Sequence, residues 1–267
     1  MGPFQQPAKG GAAVELGPLT PGRFVRRLNR FAALVEVGGR RVLAHVANSG
    51  RLGELLVPGR RVYLRAADRA GRRCPYDLAL VRHRGTLVSI DARLPNAVVA
   101  EALRAARLPA LRGFGRARRE VRHGASRLDF VLERRGLRCL VETKSVTLVE
   151  GGVALFPDAP TARGRRHVEA LARAVRRGPP PGGLARRDQP PSDQTRRERK
   201  RTEAAVVFVV QRGDAHRFRP NVAADPVFAR ALARAARAGV RILAYRCRVT
   251  RRSIRLADPI GVELSHQ

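Results

Sequence analysis

Two acidic residues and one lysine lie close together on two predicted strands. Asp129 lies in one run of alternating apolar residues, Glu142 and Lys144 lie in the next run, and a turn centred on Arg135-Gly136 separates the two. The register set by this turn places Asp129 opposite Glu142. Because side chains alternate along a strand, Glu142 and Lys144 share one face with Asp129. We therefore expect two carboxylates and one ammonium to converge.

This arrangement suits the hydrolysis of a phosphodiester. Two carboxylates can hold Mg²⁺ or Mn²⁺, which neutralises phosphate charge and acidifies a bound water. A neighbouring lysine can orient or deprotonate that water, or stabilise the charge of the transition state. The pattern also fits a structural charge cluster in which Lys144 balances both carboxylates, although opposed carboxylates repel each other when no cation lies between them.

The composition points to a polyanionic partner. The chain has 54 basic and 22 acidic residues, and its formal net charge is +32. DNA, RNA and an anionic membrane surface are the partners that such a charge favours. Only three basic residues are lysines, Lys9, Lys144 and Lys200, and Lys144 alone lies in an apolar strand pattern. Chemistry that requires a compact ammonium rather than a guanidinium would explain a lysine there.

A set of arginines and one histidine could grip phosphates. Four of them crowd the first predicted hairpin, one precedes Asp129, and two begin a predicted helix, whose N-terminus also attracts anions. These candidate DNA-binding residues are Arg23, Arg26, Arg27, Arg30, Arg127, Arg163 and His167. Solvated surface positions, and a packed histidine, are the alternative interpretation. Because aromatic residues make up only 4% and there is no Trp, we expect phosphate contacts with weak sequence specificity.

Other site classes find little support. Cys74, Cys139 and Cys247 are widely spaced and form no CxxC pair, so neither a zinc site nor a disulfide framework is predicted. No apolar run approaches the ~18 residues of a membrane helix. The N-terminal residues lack the apolar core of a signal peptide. We expect a cytoplasmic protein without a membrane partner, and the pattern leaves its oligomeric state open.

Residues 1–92 are predicted to form a small β-barrel. Phe31 to Val37, Gly38-Gly39 and Val42 to Val46 have the pattern of a hairpin. About five short strands and no long helix between residues 20 and 90 favour an OB-like barrel, and a small SH3-like barrel would give the same pattern.

Residues 93–267 are predicted to form a second domain. Asn96 is the predicted N-cap of a helix, three strands and a helix from Thr161 follow, and the apolar run from Ala204 begins a strand–helix–strand unit. The order α-β-β-β-α-β-α-β predicts a partly parallel sheet flanked by helices, an α/β (α+β) class. Residues 179–202, rich in Pro, Gly and Arg, are predicted to be a disordered basic insert.

Several blocks of residues, in this order, resemble the sugar fermentation stimulation protein A family of bacteria and archaea. The matching blocks include Asn48-Ser49-Gly50, Leu94-Pro95-Asn96, Arg119-Glu120-Val121, Ser126 to Phe130, Val141 to Leu148, Phe156 to Ala159, Arg163-Gly164 and His167. The resemblance implies an N-terminal OB-like β-barrel, a C-terminal PD-(D/E)XK nuclease-like domain, DNA binding and a role in regulating sugar-utilisation genes. By that motif Asp129 and Glu142 would be metal ligands, Lys144 the catalytic lysine and Glu101 a candidate outer acid.

Two departures from the family pattern concern single residues. The block that usually contains Cys and Met has neither between Val46 and Leu52, and Thr143 replaces the usual Val between Glu142 and Lys144. Since Thr143 points to the opposite face, no catalytic loss is expected. The leading hypothesis is a DNA-binding protein with a Mg²⁺-dependent nuclease-type site. The alternatives are a non-catalytic DNA-binding regulator and an RNA-binding factor.

Overall fold

The computed structural model describes residues 13–67, 72–123, 126–177 and 201–264. Seven strands precede the first helix: β1 (Val14–Glu15), β2 (Leu19–Asn29), β3 (Ala32–Val37), β4 (Arg40–His45), β5 (Arg61–Ala66), β6 (Tyr76–His83) and β7 (Thr86–Ser89). Strands β2 to β7 form one sheet in the order β4-β3-β2-β5-β6-β7.

The first five strands of that sheet close into a barrel, because β4 also pairs with β6 in parallel at Ala44 and Tyr76. Phe24, Val35 and Leu64 lie fully inside it. Gly38 and Gly39 adopt φ values of 56° and 77°, the left-handed conformation that a tight hairpin turn needs. The predicted OB-like barrel is confirmed.

The remaining elements form the second domain. The helices are α1 (Leu94–Arg104), α2 (Ala162–Arg177) and α3 (Pro226–Arg237), with a short 3₁₀ helix at Pro109–Leu111. The strands are β8 (Arg116–His123), β9 (Ser126–Arg134), β10 (Leu137–Val146), β11 (Val149–Glu150), β12 (Val153–Phe156), β13 (Arg201–Val210), β14 (Arg217–Pro220), β15 (Arg241–Val249), β16 (Ser253–Pro259) and β17 (Gly261–Val262).

A mixed seven-stranded sheet is the centre of this domain. Its order is β1-β16-β15-β13-β10-β9-β8, and β10, β13 and β15 run parallel. Helix α1 packs on one face through Val98 and Val99. Helices α2 and α3 cover the other face through residues such as Leu171 and Phe228. A second, four-stranded sheet has the order β11-β12-β14-β17. The predicted mixed sheet flanked by helices is confirmed.

Three details differ from the sequence prediction. Strand β1 pairs with β16, so residues 14–15 join the second domain's sheet rather than the barrel. Arg201 and Thr202 begin β13, so they are not part of a disordered insert, and residues 179–200 lie outside the described residues. Helix α1 has no side-chain cap, because Asn96 lies inside the helix and its amide binds another residue.

Candidate active site

The pairing of β9 with β10 brings the two predicted carboxylates together. Val141 pairs with Phe130 in the last of five consecutive antiparallel pairs, and Glu142 and Asp129 are the next positions in the same register, as predicted. After this pair the Thr143 N–H is bound by a side chain and not by the backbone of β9: Asp129 Oδ2 accepts it at 2.7 Å. The strands therefore part where the two carboxylates meet.

Asp129 is held by two donors from different elements. Besides the Thr143 N–H, Asn96 Nδ2 on α1 donates to Asp129 Oδ1 at 2.8 Å. The pKa of Asp129 is raised, first by burial and then by the negative charge of Glu142, and the bonds from Thr143 and Asn96 only partly offset this. The carboxylate is therefore fixed in position beside a second negative charge.

Glu142 is only 4% exposed and uses one of its two oxygens. Its Oε1 accepts from Lys144 Nζ at 2.8 Å and lies 2.5 Å from His167 Nδ1, on the second turn of α2. Its Oε2 is buried and has no hydrogen-bond partner in the described part of the chain. Burial pushes the pKa of Glu142 up, but the hydrogen bonds and charges of His167 and Lys144 outweigh burial and lower it.

The donor set fits a hard divalent cation. A buried carboxylate oxygen without a donor has lost its hydration, and no hydrogen bond offsets that cost. A cation bound at Glu142 Oε2 would offset it. No three His, Cys, Asp or Glu residues of the described ranges group together as a complete set of metal ligands. Mg²⁺ usually takes only one or two protein carboxylates and completes its shell with water and substrate phosphate. Asp129 and Glu142 therefore fit an ion that shares its shell with a substrate.

Glu101, the third predicted acid, is not brought to this pair. Its carboxylate is bound by Arg104, one turn later on α1. Each helical residue turns by about 100°, so Glu101 points about 140° away from Asn96, the residue of α1 that reaches Asp129. The expectation that Glu101 completes the ligand set is wrong in this structure for that reason.

The predicted DNA-binding residues divide into five exposed arginines, the half-buried Arg27 and His167. Arg23, Arg26, Arg30, Arg127 and Arg163 are exposed. Among these, Arg23 donates to the Gly59 carbonyl at 3.3 Å, and Arg127 pairs with Glu120 at 3.4 Å, both weakly.

Arg27 and His167 have other contacts. Arg27 donates five hydrogen bonds to the carbonyls of Asn29, Arg30, Asn48, Gly50 and Arg51. This arginine therefore fixes the loop at residues 48–51, and its donors are occupied. His167 contacts Glu142, whereas the other five arginines are exposed.

Sequence reasoning missed the role of Asn96. Its position after Leu94-Pro95 suggested an N-cap, because asparagine before an apolar periodic run is typical of a helix start. The signal that could have found its role is Pro95, which is favoured in the first turn of a helix and so places Asn96 within that turn.

Comparison with known proteins identifies the family of this chain. The model of the "Sugar fermentation stimulation protein RE domain" matches residues 93–182 and 195–253, and that of the "SfsA N-terminal OB domain" matches residues 25–90. The chain belongs to the sugar fermentation stimulation protein family. The relatives include a homolog from Moorella thermoacetica, 44% identical over 243 residues that cover 90% of this chain and 95% of that protein. Another, from Chloroflexus aurantiacus, is 39% identical over 99% of this chain and 88% of its own length.

A solved member of the family has the same fold. The structure of Pyrococcus furiosus SfsA in complex with Ca²⁺ matches with a TM-score of 0.78 and 33% identity, and covers 94% of this chain and 98% of that chain. Among the described residues, no helix has the length and apolar character needed to span a membrane.

Proposed function

We propose that this protein binds DNA through its phosphate backbone and cleaves phosphodiester bonds with the help of Mg²⁺ or Mn²⁺. The observation that carries the proposal is the buried, unpartnered Oε2 of Glu142, beside Asp129 and with Lys144 on the other oxygen. An oxygen without a donor, in one of two neighbouring carboxylates, is a position that a bound cation would stabilise. The net charge of +32 supplies the attraction for a polyanion.

Asp129 and Glu142 would hold the cation. When bound, a divalent cation neutralises phosphate charge and lowers the pKa of a coordinated water. Pyrococcus furiosus SfsA, a relative that matches nearly the whole chain, was solved with Ca²⁺, which prefers oxygen ligands as Mg²⁺ does. This supports the proposal that this chain also binds a divalent cation.

The chain's own residues have separate tasks in this proposal. Lys144 Nζ lies 2.8 Å from Glu142, and it orients the attacking water or stabilises the charge that grows on the phosphate. His167 fixes Glu142, while Asn96 and the Thr143 N–H fix Asp129. Both carboxylates are thereby held before any ion arrives, which reduces the cost of binding one.

DNA would be held mainly by exposed guanidinium groups. Arg23, Arg26, Arg30, Arg127 and Arg163 are exposed and can contact phosphates, whereas the donors of Arg27 are bound to its neighbouring loops, including residues 48–51. Phosphate contacts release counterions, so the affinity for DNA should fall steeply as the salt concentration rises. They also carry little sequence information, which predicts weak sequence specificity.

The test is cleavage of plasmid and single-stranded DNA with Mg²⁺ or Mn²⁺ by the wild type and by Glu142→Gln and Lys144→Ala. Cleavage that depends on the metal and is lost in both variants supports the proposal. Glu101→Gln is the matched control, because it removes a carboxylate from the neighbouring helix that does not reach the pair. Loss of cleavage in that control, or equal cleavage by all four proteins, would contradict the assignment.

One observation favours a second candidate, a DNA-binding regulator without catalysis. Lys144 Nζ and His167 Nδ1 already lie 2.8 and 2.5 Å from one oxygen of Glu142, so this carboxylate has partners even without an ion. Such a protein would bind DNA equally well before and after Glu142→Gln and would cut it in neither form.

A further inference from the structure

A cleft of about 350 Å³ lies where the barrel meets the second domain. Its walls are residues 48–50 of the barrel, residues 145–148 after the active-site strand, and residues 155–161 before α2, with Arg30 and Ala92 at the sides. The three wall segments belong to different parts of the sequence, and the fold brings them together. The candidate active site uses none of these residues.

The cleft opens directly beside the candidate active site. Val146 in its wall lies two residues after Lys144 on the same face of β10, and Thr161 immediately precedes α2. On the second turn of that helix His167 touches Glu142. A nucleotide next to the one whose phosphate lies at the carboxylates can therefore reach the cleft.

The walls of the cleft are rigid. Asn48 ties down its own loop, since its Nδ2 donates to the Ile90 carbonyl at 2.9 Å and its Oδ1 accepts the Gly50 N–H at 2.8 Å. Asp158 Oδ2 accepts the Arg51 N–H at 2.8 Å, which fastens the second domain to the barrel. A side chain at Gly50 would collide with Asp158, so the close approach of the two segments requires glycine there.

The interior of the cleft combines apolar walls with unused polar groups. Thr147 is 7% exposed, and its hydroxyl has no hydrogen-bond partner in the described chain. The Ser49 hydroxyl also lacks a partner within the described ranges, and Asp158 uses only its Oδ2 in the hydrogen bond with Arg51. Phe156, which packs against Phe208 and Phe228 with ring centroids 5.4 and 5.2 Å apart, adds an aromatic surface to the wall.

The charges at the mouth differ from those inside. Arg30 is exposed and forms no ion pair within the part of the chain that the structure describes. Its guanidinium attracts a phosphate. The Asp158 carboxylate is less exposed than Arg30 and repels one. A ligand with its anion at the mouth and neutral N–H donors inside fits this distribution of charge.

We propose that the cleft receives one unstacked nucleoside of the DNA strand that the site acts on, an inference that rests on the proposed function. The apolar walls take the flat face of the base, while Thr147, Ser49 and Asp158 meet the N–H groups at its edge. Arg30 holds the adjoining phosphate. The volume suits one nucleoside and not a base pair, so the substrate is a strand that is single or locally opened.

The test measures binding of two single strands of about 12 nucleotides, one of deoxycytidines and one of the same length with every base removed. Both carry the same phosphates. Ala92→Leu fills the side of the cleft without changing charge, and Ala92 is exposed, so the fold tolerates the change. Ala236→Leu on α3, outside the cleft, is the matched control. Thr147→Val removes only the free hydroxyl.

The wild type and Ala236→Leu should bind the strand with bases at least about tenfold more tightly than the strand without them. Ala92→Leu should bind the two strands equally, and Thr147→Val should lose about three- to tenfold on the strand with bases only. A preference for bases that is unchanged in Ala92→Leu would overturn the cleft proposal and leave DNA binding intact. Failure of the wild type to bind either strand would overturn both the cleft and the proposed function.

Discussion

Two pairs of carboxylates in the described part of the molecule have contrasting electrostatic surroundings. Asp77 on β6 and Asp91 before α1 face an excess of cations: Arg93 binds both, at 2.9 and 2.6 Å, and Arg65 and Arg72 reach Asp77 at 3.3 and 3.1 Å. Burial pushes the pKa of Asp77 up, but the hydrogen bonds and charges of Arg93 and Arg72 outweigh burial and lower it to about 2. This pair joins the barrel to the second domain.

Among the described residues, Asp129 and Glu142 instead have a single ammonium beside them. Lys144 and His167 both bind the same oxygen of Glu142, its other oxygen has no partner in the described chain, and the pKa of Asp129 is raised. The first pair is therefore surrounded by more positive charge than the second. This difference supports our proposal that the second pair binds a cation, while the first pair has a structural role.

The largest effect is expected from a substitution beside the Asp129–Glu142 pair. Lys144→Met should lower metal-dependent DNA cleavage by about 10²- to 10⁴-fold, because it removes the only ammonium that the described residues place at the carboxylates. Lys144→Arg should restore little activity, since a planar guanidinium cannot replace a compact ammonium there. Single-turnover cleavage rates measure both. Full activity in Lys144→Arg would show that only the charge is needed.

The next effect tests whether α1 positions Asp129. Asn96→Ala removes the amide that donates to Asp129 Oδ1 and should weaken Mn²⁺ binding by about 10- to 100-fold. Titration calorimetry measures the affinity, and Glu101→Gln on the same helix serves as the control. An equal loss in both variants would mean that α1 acts on the site only through general stability.

A smaller effect is expected at the structural joint. Asp77→Asn should lower the free energy of unfolding by about 1–3 kcal/mol, because it weakens charge-assisted hydrogen bonds to Arg65, Arg72 and Arg93. Urea unfolding gives this number. Mn²⁺ affinity should stay unchanged, and a variant that also loses the ion would contradict the separation of the two pairs.

The smallest effect sharpens the same contrast through pH. The pKa of Asp77 lies at about 2 in the folded protein against an ordinary value of 3.8, so its contribution to stability is complete above about pH 4 and is lost as the pH falls through about 2. The stability difference between the wild type and Asp77→Asn should therefore shrink between these values. Urea unfolding at a series of pH values measures it, and a constant difference would show that Asp77 is not the group responsible.

The sequence predicted the local arrangement better than the distant contacts. The turn at Arg135-Gly136 and the alternation of side chains were sufficient for the register of β9 and β10, since both depend on neighbouring residues. The barrel was predicted from about five short strands, and the hairpin of β3 and β4 is confirmed, with Gly38 and Gly39 in the left-handed conformation that its turn needs.

What the sequence could not reveal depends on contacts between remote segments. Asn96 reaches Asp129 and His167 reaches Glu142 only because α1 and α2 pack on the sheet at particular angles, which no periodicity specifies. For the same reason Glu101 was expected at the site and lies elsewhere. Strand β1, which pairs with β16 at the other end of the chain, was also missed, because two residues carry no strand pattern of their own.

The central claim is that the Asp129–Glu142 pair retains a place for a divalent cation, and direct titration of Mn²⁺ tests it most simply. The proteins are the wild type, Glu142→Gln and Asp77→Asn, each first shown to be folded. We predict one Mn²⁺ bound by the wild type and by Asp77→Asn, and none by Glu142→Gln. Equal binding by all three, or no binding by the wild type, would contradict the account.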